Sequence, residues 1–267
     1  VAVIMKAFIQ RQLLQIRQGG RTVLLRKMER TLQMPLYILV LPAVLIIRFI
    51  RPWLLVRWGT LHSTRIGHFA ANTELYCCEQ DAGINVPKKR HVDLFYMEYG
   101  PICNQQLARM WKRVLRVLHF WILVPIDLIN RLIPGSRVHE VGNNTQGARD
   151  VCNLLDRFPP HLKFTPHEEA RGKSALRDMG IPEDTRFVCL IVRDSAYLEA
   201  YEPLYDWSYQ SYRDSDIQNY ILAAEKLADL GYFVIRMGVK VRETIKTAHP
   251  RIIDYATNVM RNDFMEI

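Results

Sequence analysis

FVCLIVRDSAYLEAYEPLYDWSYQSYRDSDIQNYILAAEKLADLGYFVIRMG, residues 187–238, decides the fold class. Residues 187–192 form an apolar, β-branched run that ends in Arg193. A second run, 232–235, is too short and too β-branched for a helix and leads to Arg236 and Gly238. Between them, Ser215 followed by Gln218 reads as a capping box, which satisfies open N–H groups at a helix start. Ile217, Tyr220, Ile221, Ala224, Leu227 and Ala228 then share one helical face. Gly231 stands where a left-handed C-terminal residue is expected. The expected unit is strand–loop–helix–strand, and a right-handed crossover makes its two strands parallel. Ligands of open α/β sheets bind beyond the carboxyl ends of the strands. Arg193 and Arg236 are therefore candidates for a phosphate, which a guanidinium fork binds through two parallel hydrogen bonds.

Loop 194–213 carries Tyr197, Tyr201, Tyr205, Trp207, Tyr209 and Tyr212. Two readings stand: a loop that stacks on sugar or nucleotide, or a long loop pinned by buried tyrosines. Tyr212 and the Arg213–Asp214 pair precede the helix, where they offer a cation to phosphate and a carboxylate to a hydroxyl; Asp214 equally suits the helix dipole. Asp254 follows the apolar pair 252–253, a place from which ribose or base can be read, or from which a turn can be capped.

Upstream, residues 54–58 read as a first strand, 59–67 as a loop, 69–81 as a helix and 92–96 as a second strand. Helices are expected over 104–118 and 121–133, a turn at 143–145 and a short helix over 146–157. The arginines of helix 104–118 mark either a second membrane-facing surface or an ordinary solvated face. Pro159–Pro160 marks a domain junction. Thr165, Pro166 and Glu168 make a second capping box. In Arg65–Ile66–Gly67–His68, the glycine permits a tight turn and close approach to a ligand. The following helix start offers N–H groups. His68 is the candidate general base, with Glu74 to orient it. The bland alternatives are a capping histidine and a solvated helix glutamate.

The segments VCLIVRDSAYL (188–198), 212–238, IIDYATNVMRNDFMEI (252–267), RIGHFAANTELY (65–76) and HVDLFY (91–96) resemble a bacterial family of glycosyltransferases of surface-polysaccharide assembly. The resemblance covers roughly residues 53–267. It implies an α/β fold with two Rossmann-like domains of GT-B type facing a cleft. It implies transfer from a nucleotide-sugar to a lipid-linked or glycan acceptor. The expected division is a basic, membrane-associating helical segment 1–52, an acceptor domain 53–160 and a partial donor domain 161–267. Donor-binding residues implied are Arg193, Tyr212, Arg213, Asp214, Arg236, Gly238 and Asp254, and acceptor-binding residues Arg65, Gly67 and Asn72. Arg193 is similar in place to the strand-end arginine of fucosyltransferase-like enzymes, although Ile191 and Asp194 depart from that pattern. Such domains continue into a further strand and a Gly/Ser-rich turn, which the chain, ending at Ile267, lacks. The alternative function is a non-catalytic membrane scaffold or nucleotide-sugar-binding protein.

Composition bounds the rest. At 267 residues, 49% hydrophobic and 24% charged, the chain is globular. Its net charge of +9 resides entirely in residues 1–60, with ten Lys/Arg and one acid; the remainder carries 26 of each sign. The apolar run 35–47 is shorter than the ~20 residues that span a bilayer. Arg48, Arg51 and Arg57 interleave there with Phe49, Trp53 and Trp58, a pattern suited to a headgroup interface. A core helix is the competing reading. Peripheral attachment to the inner face of an anionic cell membrane is expected, and no nucleic-acid partner. Five cysteines without CxxC spacing argue against disulfides and zinc, and neither a required metal nor another cofactor is expected.

Overall fold

The computed structural model describes residues 39–141, 149–201 and 206–267. The basic segment 1–38, the turn at 143–145, the start of the helix expected from 146, and Tyr205 lie outside the described residues. The fold is mixed α/β with short parallel sheets. It divides into two compact units. The first holds the described residues up to Cys103 together with Trp111–His161; the second holds Asn104–Met110 and Leu162–Ile267. The boundary falls beside Pro159–Pro160.

In the first unit, β1 (Leu55–Leu61) pairs in parallel with β2 (His91–Met97), Leu55 opposite His91 and Leu61 opposite Met97. Parallel bridges Trp58–Glu140 and Phe95–Val117 widen this two-stranded sheet on both sides. The crossover helix α2 is Ile66–Asp81. It begins three residues earlier than its sequence pattern suggests, and β1 runs three residues further. The strand-to-helix loop is therefore His62–Arg65. Arg57 and Asp93 face each other across the pair and form a bidentate ion pair, Nε–Oδ1 2.7 Å and Nη2–Oδ2 2.5 Å. Tyr76 donates its hydroxyl to Asp93 Oδ2 at 2.7 Å, and Arg57 Nη1 reaches Asn85 O. Arg57 and Trp58 are thus buried members of a strand and do not sit at a headgroup interface.

Helix α1, described over 39–50, packs into this unit. Val44 is fully buried with Val56, Trp58, Leu123 and Ile126. Two of those partners come from α4 (Phe120–Arg131), which follows α3 (Gln105–Val114). Arg48 donates to the carbonyls of Ile133, Pro134 and Gly135 and so fastens the loop that follows α4. One face of α1 is core, as the competing reading had it. The other face exposes Leu39, Leu45, Ile46 and Phe49, with Trp53 just beyond. Among the described residues, no helix is long and apolar enough to cross a membrane. A short helix α5 (Leu154–Arg157) packs on α2 through Leu154 against Leu75 and Cys78.

In the second unit the sheet order is β3 (Phe187–Ile191), β4 (Phe233–Met237), β5 (Ile252–Asp254), all parallel. Helix α6 (Pro166–Asp178) has the expected capping box, Thr165 accepting from Glu168 N and Glu168 accepting from Thr165 N. The crossover differs from expectation in its start. Asp216, not Ser215, caps it by accepting from Gln218 N. Gln218 turns its side chain to Thr244 O instead of back to the cap. The first turn is a 3₁₀ turn, Ile217–Tyr220, before α8 (Ile221–Asp229). Ile217, Ala224 and Ala228 are buried, and Gly231 has φ +97°. Loop 194–213 is largely helical: α7 (Ala196–Tyr201), then a 3₁₀ turn Ser208–Arg213. Asp194 and Asp206 start these turns by accepting from Ala196 N and Ser208 N. Tyr201, Tyr209 and Tyr212 stand exposed, so the pinned-loop reading fails for them.

Candidate functional site

β1 and β2 run the same way, so their carboxyl ends open on one side of the first unit, the side where α/β sheets bind ligands. A recess of about 160 Å³ lies there. Its apolar walls are the rings of Trp58, Tyr76, Phe95 and Tyr96. Its polar groups include His62, Asn72, Asp127 and Arg131. Gly59 makes the recess possible: a Cβ there would lie 2.9 Å from the Phe95 ring. Phe95 cannot retreat easily, because it is buried edge-on against Tyr76 at 4.8 Å. Asp127 is held from two sides, by Trp58 Nε1 at 2.8 Å and by Arg131 Nη2 at 2.9 Å.

Asn72 is the most informative group in the recess. It is 4% exposed, and neither its amide nitrogen nor its amide oxygen has a hydrogen-bond partner. A buried polar group left unpaired costs about 1–3 kcal/mol. Asn72 reaches this position because it shares a face of α2 with Thr73 and Tyr76, which also line the recess. An unpaired donor beside an unpaired acceptor matches a hydroxyl, which offers the same two functions.

His62, just past the end of β1, lines the recess and is a group able to accept or donate a proton there. Its Nδ1 lies 3.4 Å from Glu98 Oε2. Glu98 is fixed by Thr64, whose backbone N–H and hydroxyl donate to Oε1 at 2.9 and 2.6 Å. Burial pulls the Glu98 carboxyl upward, but the bonds from His62 and Thr64 outweigh it and hold it down at about 2. The Glu98 hydrogen bond pushes His62 above its ordinary value, against a smaller opposing effect of burial. With Nδ1 committed to Glu98, Nε2 is the nitrogen that can exchange a proton with a ligand.

His68 is placed next to this pair without lining the recess: its ring sits edge-on to His62 at 6.2 Å. Glu74 does not orient it. Glu74 projects from the opposite face of α2 and accepts from His161. Arg65 is the extended residue that begins α2. Gly67 lies in the first helical turn, with nothing within 4 Å of a Cβ built on it, so it does not serve a tight turn there. Of the residues expected on this side, Asn72 alone lines the recess. The sequence pattern ends β1 at Trp58 and leaves His62 in mid-loop, whereas the strand runs to Leu61 and carries His62 to the recess. The run Gly59–Thr60–Leu61 includes a glycine and no apolar alternation, and pairing with Phe95–Met97 of β2 extends the strand through it.

In the second unit, Arg193 lies just past the carboxyl end of β3. Its Nε is 3.8 Å from Asp214 Oδ1. Arg193 Nη1 and Asp214 Oδ1 are both shielded from solvent and both without a hydrogen-bond partner. Asp194 instead fastens loops, accepting from the backbone N–H of Ala196 and Arg242. Arg213 bonds Gln210, and Tyr212 is 81% exposed. Arg236 and Asp254 pair with each other at 3.1 Å. Arg236 also donates to Glu243 O, and Asp254 accepts from Ile245 N. These two residues thereby fasten the loop after β4. Gly238, with φ +154° and Val241 Cγ1 at 2.9 Å from a built Cβ, is required by that loop's backbone. No protein-family model, curated protein or solved structure matches this chain.

Proposed function

We propose that the chain is a glycosyltransferase that uses a nucleotide-sugar donor and a hydroxyl acceptor at a membrane surface. The observation that carries this reading is the buried, unpaired amide of Asn72 in an aromatic-walled recess beside the His62–Glu98 pair. Sugars present apolar C–H faces to rings and hydroxyls to amides and carboxylates. In this reading the acceptor hydroxyl bonds Asn72 and gives its proton to His62 Nε2. The acceptor oxygen forms a bond to the donor's anomeric carbon as the bond from that carbon to the diphosphate breaks. Glu98 steadies the imidazolium that results. Arg193 Nη1 is assigned to the leaving diphosphate, whose developing charge a fixed guanidinium stabilises. The two-domain GT-B arrangement and peripheral membrane attachment belong to the same proposal. The apolar outer face of α1 and the basic charge of residues 1–60 support the attachment.

The test is a pair of variants measured by calorimetry against UDP-, GDP-, CMP- and dTDP-sugars and by transfer assays. Arg193→Ala should weaken donor binding about ten- to a hundred-fold, the loss of one charge-assisted pair at roughly 1.5–3 kcal/mol. Asn72→Leu should leave donor binding unchanged and abolish transfer, while thermal stability stays equal or rises, because it removes an unpaired buried amide. Failure of every nucleotide-sugar to bind the folded wild-type chain would sink the reading.

A further inference from the structure

We propose that Glu74, Cys78 and His161 form a binding site for one zinc-class divalent cation. One ligand atom from each lies within 4.8 Å of the other two. Tetrahedral zinc, with bonds of about 2.0–2.3 Å, holds its ligand atoms about 3.3–3.8 Å apart. Small side-chain movements therefore close the cluster on an ion. The set of thiol, imidazole and carboxylate is the mixture that zinc and cobalt favour over magnesium or calcium.

The placement follows from the fold. Glu74 and Cys78 are one helical turn apart on α2, on the face opposite Asn72, Thr73 and Tyr76. His161 arrives from 87 residues along the chain, past Pro159–Pro160, and is anchored by its own N–H to Glu74 Oε1 at 3.0 Å. Its Nδ1 lies 2.8 Å from the same oxygen. Its Nε2 lies 3.1 Å from Asp81 Oδ2, one more turn along α2. A histidine that binds a metal through one nitrogen characteristically donates the other to a carboxylate, which sets its tautomer and its orientation. Asp81 is placed for that task, and it is an observation separate from the three ligands. Around Cys78, Leu75, Leu154 and Phe158 supply an apolar shell. The cation would displace the Cys78 thiol proton and lie between Glu74 Oε1 and His161 Nδ1. Bound there, it ties residue 161 to α2 within the first unit. The site is independent of the transfer reaction, since it lies on the other side of α2.

Reduced wild-type chain is titrated with Zn(II) against a chromophoric chelator and, separately, with Co(II) as a spectroscopic probe. One equivalent of zinc should bind, and cobalt should show thiolate-to-metal charge-transfer absorption. Cys78→Ser should abolish that absorption. Asp81→Asn should keep it and weaken zinc binding about ten- to a hundred-fold. Cys152→Ser, which alters an exposed cysteine, should change neither. Circular dichroism checks that each variant is folded. If the wild type takes up no zinc, or its cobalt complex lacks the thiolate band, the proposal fails whatever the variants do. A thiolate band that survives in folded Cys78→Ser overturns it equally.

Discussion

His62 and Glu98 show how two side chains 36 positions apart set each other's charge. Glu98 is stabilised as an anion by His62 and by two donors from Thr64, so the imidazole beside it is favoured as a cation. The stability consequences have opposite limits. The raised His62 value adds stability in full below 6.5, lost as pH rises through the folded-state value. The lowered Glu98 value adds stability in full above 4.5, lost as pH falls toward about 2. The pair is therefore strongest between about pH 4.5 and 6.5. Both side chains are partly exposed, so its size should be no more than about 1 kcal/mol. We predict that His62, followed by NMR titration, has a pKa above 6.5 in the wild type and falls toward 6.5 in Glu98→Gln. In the transfer assay the acidic limb should move down with it, since His62 must be neutral to accept a proton. An unmoved His62 titration in folded Glu98→Gln would show that the 3.4 Å contact does not hold in solution.

At the scale of elements, the strand β1 and the helix α2 differ in what they ask of glycine. Gly59 in β1 passes close to Phe95 and to Val141, whose Cβ would be 3.2 Å from an added methyl. Gly67 in α2 meets nothing. Gly59→Ala should therefore destabilise by about 1–3 kcal/mol through overpacking. Gly67→Ala should stabilise by about 0.4–1 kcal/mol, because alanine has less freedom to lose on forming the helix. Urea melts of the two variants check the contrast. A loss of stability in Gly67→Ala would mean that the first turn of α2 carries a constraint other than helix formation. Capping was readable in the same uneven way. The Thr165–Glu168 box is entirely local, and it forms. The Ser215–Gln218 pattern matches it by letters, but Gln218 finds Thr244 and Glu243 across the turn, and Asp216 takes over the cap.

At the scale of the whole molecule, α1 is apolar apart from Arg48, and only one of its faces meets the core. Phe49 and Trp53 are 73% and 67% exposed, with ring centroids 5.9 Å apart. Burying a large apolar side chain is worth roughly 1.5–3 kcal/mol, so inserting two is worth at least about a hundred-fold in partitioning. Phe49→Ser/Trp53→Ser should therefore float with anionic vesicles at least about ten-fold less than the wild type, even if the rings insert only partway. Raising salt should weaken the binding further, since basic residues add about 1 kcal/mol each near anionic lipid. Equal flotation of the double variant and the wild type would remove α1 from the membrane contact.

Local chemistry alone determined the existence of strands β3 and β4, the left-handed Gly231, the start of α6 and the existence of β1, α2 and β2. Each of these depends on residues within a few positions of one another. Capping, β-branching and helical periodicity act at that range. Tertiary structure decided which polar residues meet. Arg57 left the expected basic surface because its strand neighbour across the sheet is Asp93. Arg236 and Asp254, each legible as a ligand contact, became partners once β4 and β5 lay in register. His62 entered the recess because pairing with Phe95–Met97 of β2 lengthened β1 by three residues. Glu74 cannot face His68, which lies six residues earlier on the same helix and about 120° around it; it faces His161 because Phe69, Leu75 and Tyr76 entering the core set the rotation of α2. Such choices depend on which face of an element is buried and in what register. Those quantities are fixed by packing energies summed over the fold, and no short window of sequence contains them.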